Sequence, residues 1–250
     1  MSDFFMRDDA PLSAEEWEKL DKTVVYAARQ FLVGRQFIEL AGPFGAGTEM
    51  IPVGTGAARK YLQMENIQAD FTLAWRDIEA NRQLGMPIEL GPAAQAAFAC
   101  AQAEDKMIFD ALFKAAKTRS TLGDWGEPDV TLSNIAQATE ALVDKGMFGP
   151  FAVILSPALY AQTQRVSRGM GRTVGKLIKE VAEGGLFRSP LLKGDQGLVI
   201  SQGAFNLDLA VGQDLITAYM GNEELDHLFR VLETIVLRIK RPEAICKLGK

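Results

Sequence analysis

The chain has 250 residues with 27 Lys and Arg against 32 Asp and Glu, a formal net charge of −5, which excludes nucleic-acid binding through bulk positive charge. Its 48% hydrophobic and 24% charged content is that of a folded protein rather than a disordered one. One histidine and two cysteines argue against a histidine-rich metal site, a zinc ribbon or a disulfide framework, so Cys100 and Cys246 read as reduced packing residues of a cytoplasmic protein.

The N-terminal segment Phe4-Phe5-Met6-Arg7-Asp8-Asp9 is acidic where a secretory leader is basic. It forms an arm too short to fold alone, and in an oligomer the surface beneath it can be a neighbour's. Ser13 with Glu16 three residues later predicts a capping box opening a helix to Phe31. Trp17, Leu20, Val24, Ala28 and Phe31 give that helix one apolar face. Between Gly42 and Gly56 glycines and prolines punctuate two short strands, and Tyr61 to Trp75 reads as extended, most strongly at Phe71-Thr-Leu73. A hairpin of this length has little core of its own.

The longest helix is expected from Pro92 to Lys117, with ten alanines between Ala93 and Ala116. Ala97, Cys100, Glu104, Met107, Ile108, Ala111 and Ala115 trace a stripe of mostly small residues that lets a sheet or helix approach. A helix over 133–145 ends at Gly146, and Phe151-Ala-Val-Ile-Leu155 reads as a buried strand. Short helices follow from Ser156-Pro157 and from Arg172 to Glu183, the second halted by Gly184-Gly185. Strands are expected at Gly197–Ser201, Leu207–Val211, Leu215–Met220 and His227–Lys240, and in the last neither face is cleanly polar. This mixed order predicts an α+β fold with a central sheet, and no stretch approaches the roughly 18 apolar residues of a membrane span.

Gly45-Ala-Gly47 and Gly54-Thr-Gly56 complete no nucleotide fingerprint and read as turn glycines. His227, beside Asp226, is the sole imidazole, and with no G-x-S-x-G elbow it reads as a surface or interface residue. The acidic pairs Asp8/Asp9, Glu15/Glu16, Glu104/Asp105 and Glu223/Glu224 read as solvated faces or salt-bridge partners rather than catalytic pairs. Arg165-Val-Ser-Arg168-Gly-Met-Gly-Arg172-Thr-Val-Gly-Lys176 carries four cations and no acid. It is either a mobile surface loop or a cationic loop that, repeated around a symmetry axis, lines an opening and attracts anions.

Several segments taken in order are similar to the encapsulin shell proteins, which adopt the major-capsid fold of tailed phages. They are Met6-Arg-Asp-Asp-Ala-Pro-Leu12 before a Trp-containing helix, Val33-Gly-Arg35 with Phe37 and Glu39 leading to Gly42-Pro-Phe-Gly45, and Glu104-Asp105 with Ile108-Phe109. Gly149-Pro150, Gly212-Gln-Asp214 with Tyr219, and Arg241-Pro-Glu-Ala244 complete the series. The resemblance implies a tailed-phage major-capsid-like fold. In it, 1–45 are the N-terminal arm and helix of a peripheral domain and 46–70 an extended loop that pairs with a neighbour. Residues 71–129 are the peripheral domain with its spine helix, 130–223 an axial domain around the fivefold axis, and 224–250 the C-terminal strands of the peripheral domain.

It further implies a self-assembling shell of about 60 copies, without catalytic residues, cofactor or bound metal of its own. Such a shell encloses ferritin-like iron-storage proteins or dye-decolourising peroxidases through their C-terminal targeting peptides. The peptide-docking groove would use Phe31, Arg35, Phe37 and Glu39, with Ile235 on the opposite wall. Arg165, Arg168, Gly169, Met170, Gly171 and Arg172 would line the fivefold pore, whose lack of histidines favours anions or neutral solutes. Trp75 lies near a position where some members hold flavin, but the local spacing differs by a residue, so no flavin is expected. The competing readings are a capsid protein packaging DNA and a soluble hydrolase using His227 or an acidic pair.

Overall fold

The capping box forms as read: Ser13 Oγ accepts from Glu16 N at 3.3 Å and Glu16 Oε2 accepts from Ser13 N at 2.6 Å. It opens α1 (Ala14–Phe31), whose Trp17, Leu20, Val24 and Ala28 are buried. The computed structural model describes residues 4–167 and 171–249. After α1 come β1 (Leu40–Ala41), the hairpin β2 (Met50–Val53) and β3 (Lys60–Gln63), β4 (Glu65–Leu73), α2 (Trp75–Leu84) and the long α3 (Gly91–Ala115). Then follow β5 (Thr118–Ser120), α4 (Pro128–Val143), β6 (Phe151–Leu155), α5 (Pro157–Gln162), α6 (Val174–Ala182) and β7 (Glu183–Arg188). The chain ends through β8 (Gly197–Ser201), β9 (Leu207–Glu223), β10 (Asp226–Ile239) and β11 (Ile245–Leu248).

Two sheets organise these elements. A four-stranded sheet runs β1-β9-β10-β4, antiparallel except for the parallel β1–β9 pair. The small residues of α3 let it lie close against α1, β4 and β10. An aromatic cluster fills this half, with Phe229 stacked on Phe71 at 5.3 Å and edge-on to Trp17 at 5.7 Å. A five-stranded sheet runs β5-β11-β8-β6-β7. Its second, apolar core takes Ile135 and Leu142 of α4, Ile178 of α6, and Val153 and Leu155 of β6. All five residues of β6 are buried, as its uninterrupted apolar sequence requires.

The structure corrects several expectations. Trp75 does not end a strand; it begins α2, a helix that buries only Ile78 and so shows little periodicity, and that stops at Gly85 with φ 67°. α4 starts a turn earlier, at Pro128. Gly184-Gly185 is not a simple stop but part of β7: a Cβ at Gly184 would lie 2.2 Å from Gln202 Oε1 and 2.7 Å from the Phe151 backbone, so strand pairing there admits only glycine. The segments 207–211 and 215–220 are one continuous strand, irregular between Gly212 and Leu215 rather than broken. The short strands β5 and β11 pair in parallel with each other. They place 118–120 and 245–248 in the five-stranded sheet, while 65–70 and 207–223 lie in the four-stranded one. The N-terminal arm lies on its own chain: Tyr219 N donates to Phe5 O, and Arg7 pairs with Asp21 at 2.6 Å while covering the Trp17 ring at 3.9 Å.

Candidate functional site: an arginine hub beneath an apolar groove

Where α1 ends, the chain turns tightly through Gly34–Gln36 against α3. The approach is so close that a Cβ on Gly34 would stand 2.6 Å from Ile108 Cδ1. Asp105 makes this contact specific, its two oxygens accepting from Val33 N and Gly34 N at 2.8 Å each. The turn presents Arg35 to three carboxylates. Its Nε and Nη2 donate side-on to Glu104 at 2.8–3.0 Å, Nη2 also to Glu233 at 2.7 Å, and Nη1 to Asp214 at 2.7 Å. Such forked, charge-assisted bonds fix a guanidinium in one orientation.

Burial shapes the electrostatics. Glu104, Asp105 and Glu233 are 0–1% exposed. Burial first, then the Glu104 charge, pushes the Glu233 carboxyl up to about 9 against the pull of Arg35. Burial also pushes Asp105 up to about 7, although the Val33 and Gly34 amides pull it down. Burial works against the Arg35 charge, but Glu104, Glu233 and Asp214 outweigh it and hold the guanidinium protonated. Asp214 is partly desolvated too, yet its bonds to Arg35 hold it below the usual carboxylate range. Of the two readings offered for Glu104/Asp105, the solvated face is ruled out and the salt-bridge partner holds for Glu104: both carboxyls point inward, Glu104 to Arg35 and Asp105 to the Val33 and Gly34 amides.

Above the hub lies a groove of about 420 Å³, with Val25, Ala28 and Arg29 of α1 and the following Leu32 on one side and Leu40 and Leu215 on the other. Arg35 and Asp214 form part of its wall. Of the five residues expected to line a docking groove, only Arg35 is there. Phe31 is half-buried and packs edge-on against Phe98 at 4.6 Å. Phe37 is buried between Phe109 and Phe187, and Ile235 is wholly inside the sheet core. Glu39 is exposed and borders a separate cleft of about 470 Å³ with Gly149, Pro150 and Phe205. Val25, Leu40 and Leu215 line the groove without having been singled out in the sequence; the available signal was Val25, an apolar residue on the otherwise polar face of α1, while Leu40 and Leu215 come from β1 and β9.

Within the cationic segment, Arg168, Gly169 and Met170 lie outside the described residues. Val166 bridges Thr173 across its base, Arg165 donates to Gly126 O, and Arg172 pairs with Glu180 of α6 at 2.7 Å. Gly171 adopts φ 61°. The following helix thus supplies an acid that the segment itself lacks. His227 Nδ1 lies 2.9 Å from Tyr219 Oη, and Trp75 is partly exposed under Arg76. Among the described residues, no group of three or more His, Cys, Asp or Glu is arranged to hold a metal ion; in the hub, a guanidinium occupies the centre. No helix among them is long and apolar enough to cross a membrane.

Comparison with known proteins gives one consistent result. Residues 1–236 match the family described as encapsulating protein for peroxidase. The type 1 encapsulin shell protein of Myxococcus xanthus is 41% identical, with 99% of this chain and 97% of that protein covered. A virus-like particle from Pyrococcus furiosus has the same fold at 20% identity, with a TM-score of 0.83 over 94% of this chain and 100% of that one. The mature capsid of bacteriophage PhiM1 follows at 11% identity, with a TM-score of 0.59 over 87% and 86%.

Proposed function

The chain belongs to the encapsulin shell family, and from that premise we propose that about 60 copies close into a cytoplasmic nanocompartment holding a peroxidase or ferritin-like cargo by its C-terminal peptide. The protein is a shell subunit rather than an enzyme, with a tailed-phage-capsid fold. The single observation that carries the docking reading is the groove beside α1. Val25 and Leu40 are 37% and 51% exposed, side by side with Leu215, over a wall that the hub makes rigid. An extended peptide inserts apolar side chains into such a groove. Arg35 belongs to the wall, since its donors are engaged by carboxylates of its own chain.

The other parts take roles by their exposure. The β2–β3 hairpin carries exposed Met50 and Tyr61 and stands as a two-stranded sheet of its own. Such a hairpin gains stability by reaching a neighbouring subunit, the role assigned to the extended loop. The 165–176 segment lines an axial opening, with Arg172 tethered by Glu180. Exchanging Arg168 and Arg172 for Glu slows anion entry into loaded shells; unchanged entry makes the segment ordinary surface. The docking test is Val25→Glu with Leu40→Glu, both exposed positions, in cells co-expressing a fluorescent protein fused to the C-terminal tail of a peroxidase or ferritin-like cargo. Shells form and lose the fluorescent passenger. Shells that retain it refute the groove.

A further inference from the structure

Five ionisable side chains converge where α1 ends: Arg35 from the turn, Glu104 and Asp105 from α3, Asp214 from β9 and Glu233 from β10. Arg29 of α1 acts on Asp214 from the groove side. Cys100 of α3 feels Glu233 and, from β4, Asp70, while its Sγ bonds Val231 O. Three carboxyls thus bind one guanidinium, with a fourth, Asp105, on the adjoining Val33 and Gly34 amides, and Glu104, Asp105 and Glu233 are buried. Irregular β9–β10 pairing explains how Glu233 arrives there. Leu232 pairs with Ile216 and Thr234 with Gln213, so Asp214 and Leu215 together oppose the single residue Glu233. Such bulges re-aim side chains.

Glu233 Oε2 accepts from Arg35, but Oε1 is buried and receives no N–H or O–H donor. Arg35 Nη2 donates to both carboxyls, to Glu104 Oε2 at 2.8 Å and to Glu233 Oε2 at 2.7 Å, which crowds two acidic oxygens around one nitrogen. Two carboxylates cannot bond each other unless one carries a proton, and a buried charged oxygen left unpaired is costly. We propose that Glu233 and Glu104 share one proton beneath Arg35, and that this proton locks the inner wall of the groove, which loosens when the proton is lost to alkaline solution. The inference concerns the wall and stands whatever the groove binds.

The direction of the pH effect follows from burial. Glu233 and Asp105 rise from ordinary values of 4.5 and 3.8 to about 9 and about 7. The folded chain therefore holds protons that an opened one releases. The stability they contribute is complete below their ordinary values and is lost as pH rises through about 7 and about 9. Arg35 stays charged and Asp214 ionised throughout this window.

Two measurements on assembled shells test the proposal. Infrared spectroscopy reads a protonated-carboxyl C=O stretch above the amide band. The expected result is a band at about pH 8, where Asp105 is largely ionised and Glu233 is not, that shifts in D₂O, disappears on titration past about pH 9 and is missing in Glu233→Gln. Hydrogen exchange read by mass spectrometry, corrected for the intrinsic pH dependence of exchange, follows peptides covering 33–35 and 213–216. Opening there grows between about pH 6 and pH 8 by up to about tenfold per pH unit for each proton released, and Glu233→Gln, whose neutral amide cannot ionise, loses the Glu233 share of that slope and keeps the Asp105 share. A band absent from the natural protein, or equal slopes in both proteins, overturns the proposal. If Glu233→Gln fails to assemble, the difference spectrum of the natural shell between about pH 8 and pH 10, above the Asp105 transition, decides alone: a lost carboxyl band supports the shared proton, and no difference rejects it.

Discussion

The two halves of the subunit solve the burial problem in opposite ways. Around the five-stranded sheet, β6 buries five apolar side chains in a row and α4 and α6 close over it with Ile135, Leu142 and Ile178. Around the four-stranded sheet, an equally dry interior holds Arg35, Glu104, Asp105 and Glu233 among Phe71, Val231 and Ile235. Apolar packing is tolerant, because any residues of similar volume fill it. A buried charge cluster is not, because each member needs its partners in place. The half with the cluster is also the half with the groove, and that pairing locates the groove's rigidity in Arg35 rather than in the helix alone.

The largest break in this comparison is Arg35→Ala. It strands Glu104 and Glu233 without their cation and lowers stability by about 3–5 kcal/mol, read as a fall in the guanidinium unfolding midpoint. Replacing the cluster as a unit, with Arg35→Met, Glu104→Leu and Glu233→Leu together, restores most of that loss, because apolar residues of similar size offset the missing pair. If the triple variant is as unstable as the single one, charge balance is not what the hub provides. Next comes Leu155→Ala in the apolar half, costing about 2–5 kcal/mol through a cavity. Its unfolding midpoint drops by the same amount at every pH, whereas the natural chain's own stability declines as pH rises through about 7 and about 9. The smallest effect is Ser13→Ala, about 1 kcal/mol from the lost cap, with shells intact by electron microscopy.

The same contrast decides what could be read from the residues in order. The Ser13/Glu16 box, the alanine-rich spine and Phe151–Leu155 are local patterns, and each formed where expected. The hub is made of residues 69, 179 and 198 positions apart, joined only by tertiary packing. A signal was nonetheless present: Glu104 sits on the small-residue stripe of α3, and Glu233 shares one face of β10 with Phe229, Val231 and Ile235. An acid on each of two apolar faces, with an arginine in the turn between elements, points to a buried ion cluster. The irregularity that turns Asp214 and Glu233 toward Arg35 depends on how β9 and β10 register, and that register was invisible in a segment that reads as two strands. Phe31, Phe37 and Ile235 were expected to line a docking groove, but apolar character alone does not separate a groove from a core, and Phe37 and Ile235 are buried in the core.

Assembly is the claim on which the rest depends, and sedimentation of the purified protein tests it most directly. The expected result is a single closed particle of about 60 copies of the 27.3 kDa chain, about 1.6 MDa. A monomer or dimer sedimenting under mild buffer conditions contradicts it.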